Sequence, residues 1–284
     1  HADTIILDIG ALHENPLVTL NRLLQIDPHA KIIMASTLTF SNVRKSMTGF
    51  ERGAADFIQM PGGHTRKTDK GAFRADLLRL IGAMADARRN DTPRQIAGKP
   101  TAKTAEPRKS ITLRDVSPHR PSVLAVGSST GGPEALNVMI DDLPDDFPLP
   151  ILITQHMPKL FTARLADTIS KRTGKIAVEA AEGMTVEPGK IYIAPGDHHM
   201  TITGTPTRSV IRLNQEPPVN YCRPSVEPML QSIVRIYKEK TLVVILTGMG
   251  ADGQKGAELA VESGGSVIAQ DADTSVVWGM PGAV

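Results

Sequence analysis

Short apolar runs alternate with segments of helical periodicity along residues 1–90. The runs TIILDI, KIIMAS and DFIQM predict strands, whereas PLVTLNRLLQI and SNVRKSMTGFERGA have the spacing of helices. A longer helix is predicted for GAFRADLLRLIGAMADARR, which places five apolar residues along one face: Phe73, Leu77, Leu78, Ile81 and Met84. Strands that alternate with helices predict a parallel sheet covered by helices.

The same alternation resumes at Ser122 and continues to the end of the sequence. VLAVG, ILIT, KIYIAP, TLVVILTG and SVIAQD predict strands, and PEALNVMI, LFTARLADTISKR, PSVEPMLQSIVRIYKEK and GQKGAELAVES predict helices. Between these segments, HHMTITGTPTRSVIRL predicts an antiparallel hairpin. The second half is therefore expected to be a doubly wound parallel α/β domain with a hairpin insertion.

The segment between the two halves differs from both in composition. Residues 91–121 are rich in Pro, Lys and Thr and lack hydrophobic periodicity, which predicts an extended basic linker. The expected organisation is a partial first domain over 1–90, the linker over 91–121 and a second domain over 122–284. Because HADTIILDIG begins close to a strand, we also expect that further residues precede it in the protein.

Charge balance and cysteine content narrow the possible functions. The 32 basic and 30 acidic residues give a net charge of +2, too balanced for nucleic acid to be the main partner. A single cysteine excludes an internal disulfide and fits a reducing compartment. No apolar run approaches the roughly 20 residues that cross a bilayer, and no signal-peptide pattern is present. We therefore expect a cytoplasmic protein without membrane insertion.

The residues after VLAV form a G-x-S-x-G pattern. Gly127 to Gly131 lead from the strand into a helix, with Ser129 at the centre. This strand, turn and helix predict a nucleophile elbow, with the serine near free N–H groups of the helix N-terminus. A phosphate-binding loop is the alternative, although neither G-x-G-x-x-G nor the Walker pattern is present.

Two further polar residues follow strands of the same domain. His156 comes after ILIT, and Asp252 comes after TLVVILTG. The carboxyl ends of parallel strands meet at one edge of the sheet, so Ser129, His156 and Asp252 are predicted to form a catalytic triad. Taken singly, His156 could be a structural histidine and Asp252 a turn residue or helix N-cap.

Other candidates fit less well. The order serine, acid, histidine of an α/β-hydrolase would need Asp167, which lies inside a predicted helix. His198 and His199 beside Asp197 raise the possibility of a metal site, but a polar turn is the simpler interpretation, and no metal ligands are predicted. Cys222 has no histidine near it in sequence and is expected to be inert.

Six motifs lie in the second half: GSSTGGPEAL, ITQHMP, EGMTVEPGKIYIAPGDHHM, PPVNYCRPSVEPML, ILTGMGADG and AQDADTSVVWGMP. Together they resemble the catalytic domain of the chemotaxis protein-glutamate methylesterase family, CheB, over nearly all of residues 122–284. By position, the resemblance implies Ser129 as nucleophile, His156 as base and Asp252 as acid. It also implies Met249 and Thr130 as backbone oxyanion donors, and a domain that is incomplete at its C-terminus.

The resemblance also implies an activity and partners. The expected reaction is hydrolysis of glutamyl methyl esters on the cytoplasmic helices of methyl-accepting chemoreceptors, through an acyl-enzyme and with release of methanol. Many members of the family also deamidate receptor glutamines, and catalysis needs no metal or organic cofactor. A chemotaxis histidine kinase is a second partner that this resemblance suggests.

The first half resembles the response-regulator receiver domain that the family carries, which implies a flavodoxin-like fold. Asp8 stands at the phosphoacceptor position and Ser36 at the hydroxyl position. The strand with the acidic pair that binds Mg²⁺ is absent from the sequence, and Met60 replaces the lysine that contacts the phosphoryl group. We therefore expect a degenerate receiver without a Mg²⁺ site that serves as a docking or inhibitory module.

Other functions stay open at this point. The chain could be a non-catalytic regulator that keeps the fold in order to bind receptor or kinase. It could also be a different small-ester hydrolase, or a nucleotide-binding protein that uses the glycine-rich turn.

Overall fold

Two parallel β-sheets organise the chain, one in each half of the sequence. A computed structural model describes residues 2, 4–10, 15–61, 70–91, 113–115 and 117–284. The elements of the first half are β1 (Thr4–Asp8), α1 (Pro16–Ile26), β2 (Lys31–Ser36), α2 (Phe40–Phe50), β3 (Asp56–Gln59) and α3 (Lys70–Asp91). The three strands pair in the order β1-β2-β3, all of them parallel.

The second half contains a larger sheet and a separate hairpin. Its elements are β4 (Val123–Ser128), α4 (Gly132–Asp141), β5 (Ile151–Gln155), α5 (Phe161–Thr173), β6 (Ile176–Glu179), β7 (Lys190–Ile193), β8 (His199–Thr205), β9 (Arg208–Asn214), α6 (Val226–Tyr237), β10 (Thr241–Ile245), α7 (Gln254–Glu262), β11 (Ser266–Ala269) and α8 (Met280–Ala283). Six parallel strands pair in the order β11-β10-β4-β5-β7-β6, and β8 and β9 form the antiparallel hairpin. The predicted α/β fold with a hairpin is confirmed.

The strand order reverses beside β4. All six residues of β4 are buried, as expected for a strand covered on both faces. From β4 the chain adds β5 and later β7 on one side, then returns to add β10 on the other. In an open parallel sheet, this reversal leaves a crevice beyond the carboxyl ends of the central strands. The loops that follow β4, β5 and β10 therefore meet there.

A buried carboxylate ties α6 to α7. Glu227, in the first turn of α6, is 4% exposed, and its carboxylate accepts hydrogen bonds from the backbone N–H groups of Gly253, Lys255 and Gly256. These N–H groups belong to the first turn of α7, where no carbonyl of the helix itself can accept them. The contact fixes the start of α7, and with it the loop that follows β10.

The buried face of α3 differs from the prediction at one residue. Leu78 is 58% exposed, whereas Leu80, which was not assigned to the face, is 7% exposed. Residues 77, 80, 81 and 84 follow the i, i+3, i+4, i+7 spacing of one helix face, and residue 78 lies about 100° away from residue 77. The pattern missed β6 altogether, because this four-residue edge strand carries a weak signal and leaves Ile176 exposed.

The two halves pack directly on each other. The ring of Phe161, in α5, lies 4.7 Å from that of Phe57 in β3 and 6.5 Å from that of Phe50 in α2. The backbone N–H of Gly131, in the turn after β4, donates to the carbonyl of Ala55 at 3.0 Å. The predicted domain boundaries remain predictions, and most of the expected linker, residues 92–112 and 116, lies outside the described residues.

None of the helices in the described ranges combines the length and the apolar character needed to cross a membrane.

Phe161 is expected to be a main support of this packing. Replacement of a fully buried phenylalanine by alanine removes apolar contacts and leaves a cavity, so Phe161→Ala should lower the free energy of unfolding by about 3–5 kcal/mol. Phe40→Ala is the matched control, because Phe40 is 73% exposed and its loss should cost less than about 0.5 kcal/mol. Urea denaturation followed by circular dichroism measures both, and equal losses would contradict the packing described.

Candidate active site

Ser129 occupies a tight turn between β4 and α4. Its backbone N–H donates to the carbonyl of Thr247, in the loop after β10, at 3.0 Å, and its own carbonyl accepts from Gly132 at 2.7 Å. Gly131 has a φ of 77°, in the left-handed region that favours glycine. The serine is thus held at the carboxyl end of the central strand, directly before the N-terminus of a helix.

The loop after β10 lies against this turn. A Cβ atom added at Gly248 would lie 2.9 Å from Ser129 Cβ and 3.1 Å from Ser129 N. Real Cβ atoms do not approach so closely, so only glycine allows this contact. Met249 directly follows Gly248, so this contact places the loop that contains Met249 beside Ser129.

His156 and Asp252 meet across the same edge of the sheet. His156 follows β5, Asp252 lies in the loop after β10, and His156 Nε2 is 2.7 Å from Asp252 Oδ2. Asp252 is 2% exposed, and its carboxylate also accepts from Asn220 Nδ2 at 2.8 Å, from Ser225 Oγ at 2.8 Å and from the Val226 N–H at 2.6 Å. Four donors therefore fix the orientation of this carboxylate.

The charges of the pair stabilise each other. Burial alone would favour the neutral acid, but the hydrogen bond and the charge of His156, with the Asn220 and Val226 donors, lower the pKa of Asp252 below its ordinary value. Burial likewise disfavours the imidazolium of His156, yet the hydrogen bonds and charge interactions with Asp252 and Cys222 together outweigh burial and raise the pKa of His156 above its ordinary value. Asp252 thus holds a proton on Nε2 and leaves Nδ1 as the nitrogen that can exchange one.

Nδ1 of His156 faces a thiol. Cys222 Sγ lies 3.4 Å from Nδ1, whereas the described residues show no hydrogen bond from the Ser129 hydroxyl to either ring nitrogen. No histidine lies near Cys222 in sequence, but the fold places one against its thiol, and its expected inertness remains a prediction. Cys222 and His156 are 66 residues apart, and the segment between β9 and α6 brings them together, which local sequence spacing could not reveal.

The predicted oxyanion donors are the backbone N–H groups of the residues that follow Ser129 and Gly248, two residues in close contact. Among the described residues, the backbone N–H groups of Thr130 and Met249 donate no hydrogen bond, so both are free to serve an incoming oxygen. Thr130 is 2% exposed, and its carbonyl accepts from Thr247 Oγ1 at 2.9 Å. That bond ties the turn after β4 to the loop after β10.

A carboxyl group from the first half reaches this site. Asp56, the first residue of β3, accepts a hydrogen bond from Thr130 Oγ1 at 2.5 Å, and it lines a small cavity together with His156, Phe57 and Phe161. Burial raises the pKa of Asp56 to about 6, although the bonds from Thr130 and Phe57 N–H and the charge of His156 favour the ionised form. The first half therefore covers the edge of the sheet where Ser129 and His156 lie.

The remaining candidates are placed elsewhere. Asp8 ends β1 and accepts from the Gly10 N–H at 2.8 Å, and Met60 packs into the apolar cluster between α3 and Val277. At residues 11–16 the sequence also departs from the Met-Pro-x-Met-Asp-Gly pattern of receivers, and residues 11–14 of this segment lie outside the described residues.

The two adjacent histidines have structural partners, and Nδ1 of His198 lies 3.4 Å from the Gly196 carbonyl. His199 is 1% exposed, accepts from Ser225 N–H at Nδ1 and lies 3.2 Å from the Pro217 carbonyl at Nε2. Asp197 forms an ion pair with Arg223 at 2.6 Å. Within the described ranges, no group of three or more His, Cys, Asp or Glu side chains is arranged to hold a metal ion.

Sequence reasoning missed the residues that hold the site together. Gln155 is buried beside Ser129 and His156, and Asn220 and Ser225 hold Asp252. Gln155 precedes His156 directly and could have been suspected for that reason. Asn220 and Ser225 lie in a segment without periodicity, and only the folded chain brings them to Asp252.

A family profile and curated relatives of this chain belong to the same enzyme family. The profile of the family described as CheB methylesterase matches residues 124–284. A protein-glutamate methylesterase/protein-glutamine glutaminase 1 of Paramagnetospirillum magneticum is 44% identical, over 99% of this chain and 77% of its own length. The enzyme named protein-glutamate methylesterase/protein-glutamine glutaminase of Azospirillum brasilense is 43% identical, over 99% of this chain and 75% of its own length.

A solved structure is similar to the second half. The crystal structure of the Thermotoga maritima CheB methylesterase catalytic domain superposes with a TM-score of 0.56 and 43% sequence identity. It covers 58% of this chain and 88% of that domain.

The raised pKa of His156 can be measured directly. Its ring should remain protonated above pH 6.5, and Asp252→Asn should lower its pKa by one unit or more, because the negative partner on Nε2 is lost. NMR titration of the ring resonances measures both values. Asp145→Asn is the control, since the Asp145 side chain is fully exposed and pairs with Lys175. An equal shift of the His156 pKa in both variants would contradict the pairing of His156 with Asp252.

Proposed function

The chain belongs to the CheB methylesterase family, and we propose that it hydrolyses glutamyl methyl esters of chemoreceptors and deamidates receptor glutamines in the cytoplasm. The relatives carry both activities in their names. The observation that carries the proposal is the 2.7 Å pair of His156 and buried Asp252 at the strand ends beside the Ser129 turn. That arrangement suits acyl transfer, which both reactions share.

In the proposed reaction Ser129 Oγ attacks the ester carbonyl and its proton passes to Nδ1 of His156. Asp252 keeps the Nε2 proton in place and stabilises the imidazolium that forms. The tetrahedral intermediate then collapses, and methanol leaves with the proton from Nδ1. Water, deprotonated by the same nitrogen, attacks the acyl-enzyme carbonyl, and the proton then passes from Nδ1 to Ser129 Oγ as the glutamate side chain is released. With glutamine, ammonia is the leaving group and the remaining steps are the same.

The backbone N–H groups of Met249 and Thr130 are the proposed oxyanion donors. Both lack an acceptor among the described residues, and Thr130 precedes the N-terminus of α4, whose dipole favours negative charge. The reaction so described uses only side chains and backbone groups of the chain. We propose no metal or organic cofactor.

The first half is proposed to act as a cover on this site. Asp56 bonds to Thr130 and lines the cavity at His156, while the Phe57 and Phe161 rings seal the contact. A receptor helix could not enter while this contact persists. We propose a degenerate receiver that docks there, with Asp8 at the phosphoacceptor position and Met60 where a lysine would respond to phosphorylation.

A non-catalytic regulator of the receptor or of a histidine kinase is the alternative. It would keep the fold and the partners but need no charged His156 and Asp252 pair. Measurement of product release separates the two functions.

Ser129→Ala should abolish methanol release from methylated receptor. Loss of the nucleophile removes the acyl-enzyme route, and the rate should fall by about 10⁴-fold or more. Ser117→Ala is the matched control, because the Ser117 hydroxyl bonds to the Gly264 carbonyl on the surface and should leave the rate unchanged. Equal release by wild type and Ser129→Ala would overturn the proposal, and ammonia release from glutamine-bearing receptor tests the second reaction in the same variants.

The covering contact should weaken as pH rises. Because the pKa of Asp56 is raised from 3.8 to about 6 in the covered arrangement, that arrangement is most stable below pH 3.8 and loses stability as pH rises from there to about 6. The shift corresponds to a change of up to about 100-fold in the docking equilibrium. Asp56→Asn keeps the size and stays neutral, so it should remove this dependence.

The measurement is the ratio of wild-type to Asp56→Asn esterase activity between pH 4 and pH 8. The ratio should be near one at the acid end, rise as pH approaches about 6 and change little above it. Asp142→Asn, an exposed substitution at the end of α4, is the control. A ratio that stays constant over this range would contradict the role of Asp56.

A further inference from the structure

The side-chain amide of Gln155 lies between the two strand ends that carry Ser129 and His156. Gln155 is the last residue of β5 and is 2% exposed. Its Nε2 donates to the carbonyl of Ser129 at 2.9 Å and to the carbonyl of His156 at 3.2 Å, and its Oε1 accepts from the Ser128 hydroxyl at 2.6 Å. Each polar atom of this amide therefore has a partner inside the protein.

The backbone ladder between β4 and β5 ends at this amide. Ser128 is the register partner of Gln155, and the last ladder bond runs from His156 N–H to the Ser128 carbonyl at 3.0 Å. Beyond it the segments separate, because Ser129 N–H turns to Thr247 on the other side. The carbonyls of Ser129 and His156 then lie outside the ladder, where the Gln155 amide donates to both and Gly132 N–H also donates to the Ser129 carbonyl.

We propose that Gln155 is a positioning residue that fixes the spacing between Ser129 and His156. One planar amide donates to both carbonyls, so separation of the two segments would stretch one of its bonds. The inference rests on the proposed function, because it gives Gln155 a part in the reaction of Ser129 with His156. Gln155 itself touches no reacting atom; it acts through the backbone of the two residues that do.

The chemistry of the two carbonyls makes glutamine specific here. A carbonyl oxygen can only accept, so the NH₂ end of the amide must face both, and the Ser128 hydroxyl at Oε1 holds that orientation. A glutamate of the same size would turn an acceptor toward two acceptors. The fit is also tight, because a Cβ atom added at Gly132 would overlap Gln155 Oε1.

Gln155→Met tests this role, since methionine has a similar length and no donor. We expect kcat for methanol release to fall about 10–100-fold with KM changed less than about threefold, because small misplacement of reacting groups slows the chemical step. Gln231→Met is the matched control: Gln231 is half-buried in α6 and should leave both constants unchanged. Gln155→Glu serves as the second variant, and it should be slowed to a similar degree.

Reaction with a fluorophosphonate, which labels an activated serine, separates positioning from loss of folded protein. A positioning role predicts that Gln155→Met is labelled to the same final extent as wild type but about 10-fold or more slowly. A wild-type labelling rate, or a reduced extent with an unchanged rate in the labelled fraction, would overturn the inference. An inactive wild type would instead refute the proposed function, so the two failures are distinguishable.

Discussion

The buried carboxylate of Asp252 is the interaction on which the arrangement of the site depends. An ionised carboxyl that is 2% exposed is tolerated only where donors replace the lost water. Its four donors come from the end of β5, from the segment before α6 and from the first turn of α6. One charge therefore draws together three parts of the chain that are far apart in sequence: residues 156, 220–226 and 252 itself. The same charge stabilises the protonated ring of His156.

A second carboxylate extends this dependence to the helices behind the site. Glu227 follows Val226, whose N–H binds Asp252, and its own carboxylate takes three N–H groups at the start of α7. Asp252 directly precedes that turn, so the two acids pin opposite sides of one loop. Each carboxylate raises the cost of ionising the other. Burial and the charge of Asp252 raise the pKa of Glu227, although the N–H donors oppose this shift. The three N–H donors at the start of α7 offset part of this cost.

The elements and the strand-end residues were predictable, whereas the contacts that orient them were not. Runs such as VLAVG predict strands because a strand that is buried on both faces must be apolar. The carboxyl ends of parallel strands meet at one edge of the sheet, and this rule selected Ser129, His156 and Asp252. Leu78 was misplaced because an apolar residue beside a helix face cannot be separated from the face by pattern alone. Cys222, Asn220 and Asp56 reach the site only through long-range packing, for which neighbouring sequence carries no signal.

The position of Asp56 makes the two halves chemically as well as sterically dependent on each other. Its carboxyl loses hydration at the contact and lies within the field of His156, so ionisation of the one favours protonation of the other. Separation of the halves would remove that negative neighbour and leave Asp252 as the remaining carboxylate partner of the ring. The proposed base would then be easier to deprotonate. In the proposed function, opening of the cover would therefore admit a substrate and, by the same movement, shift His156 toward the form that can accept a proton from Ser129.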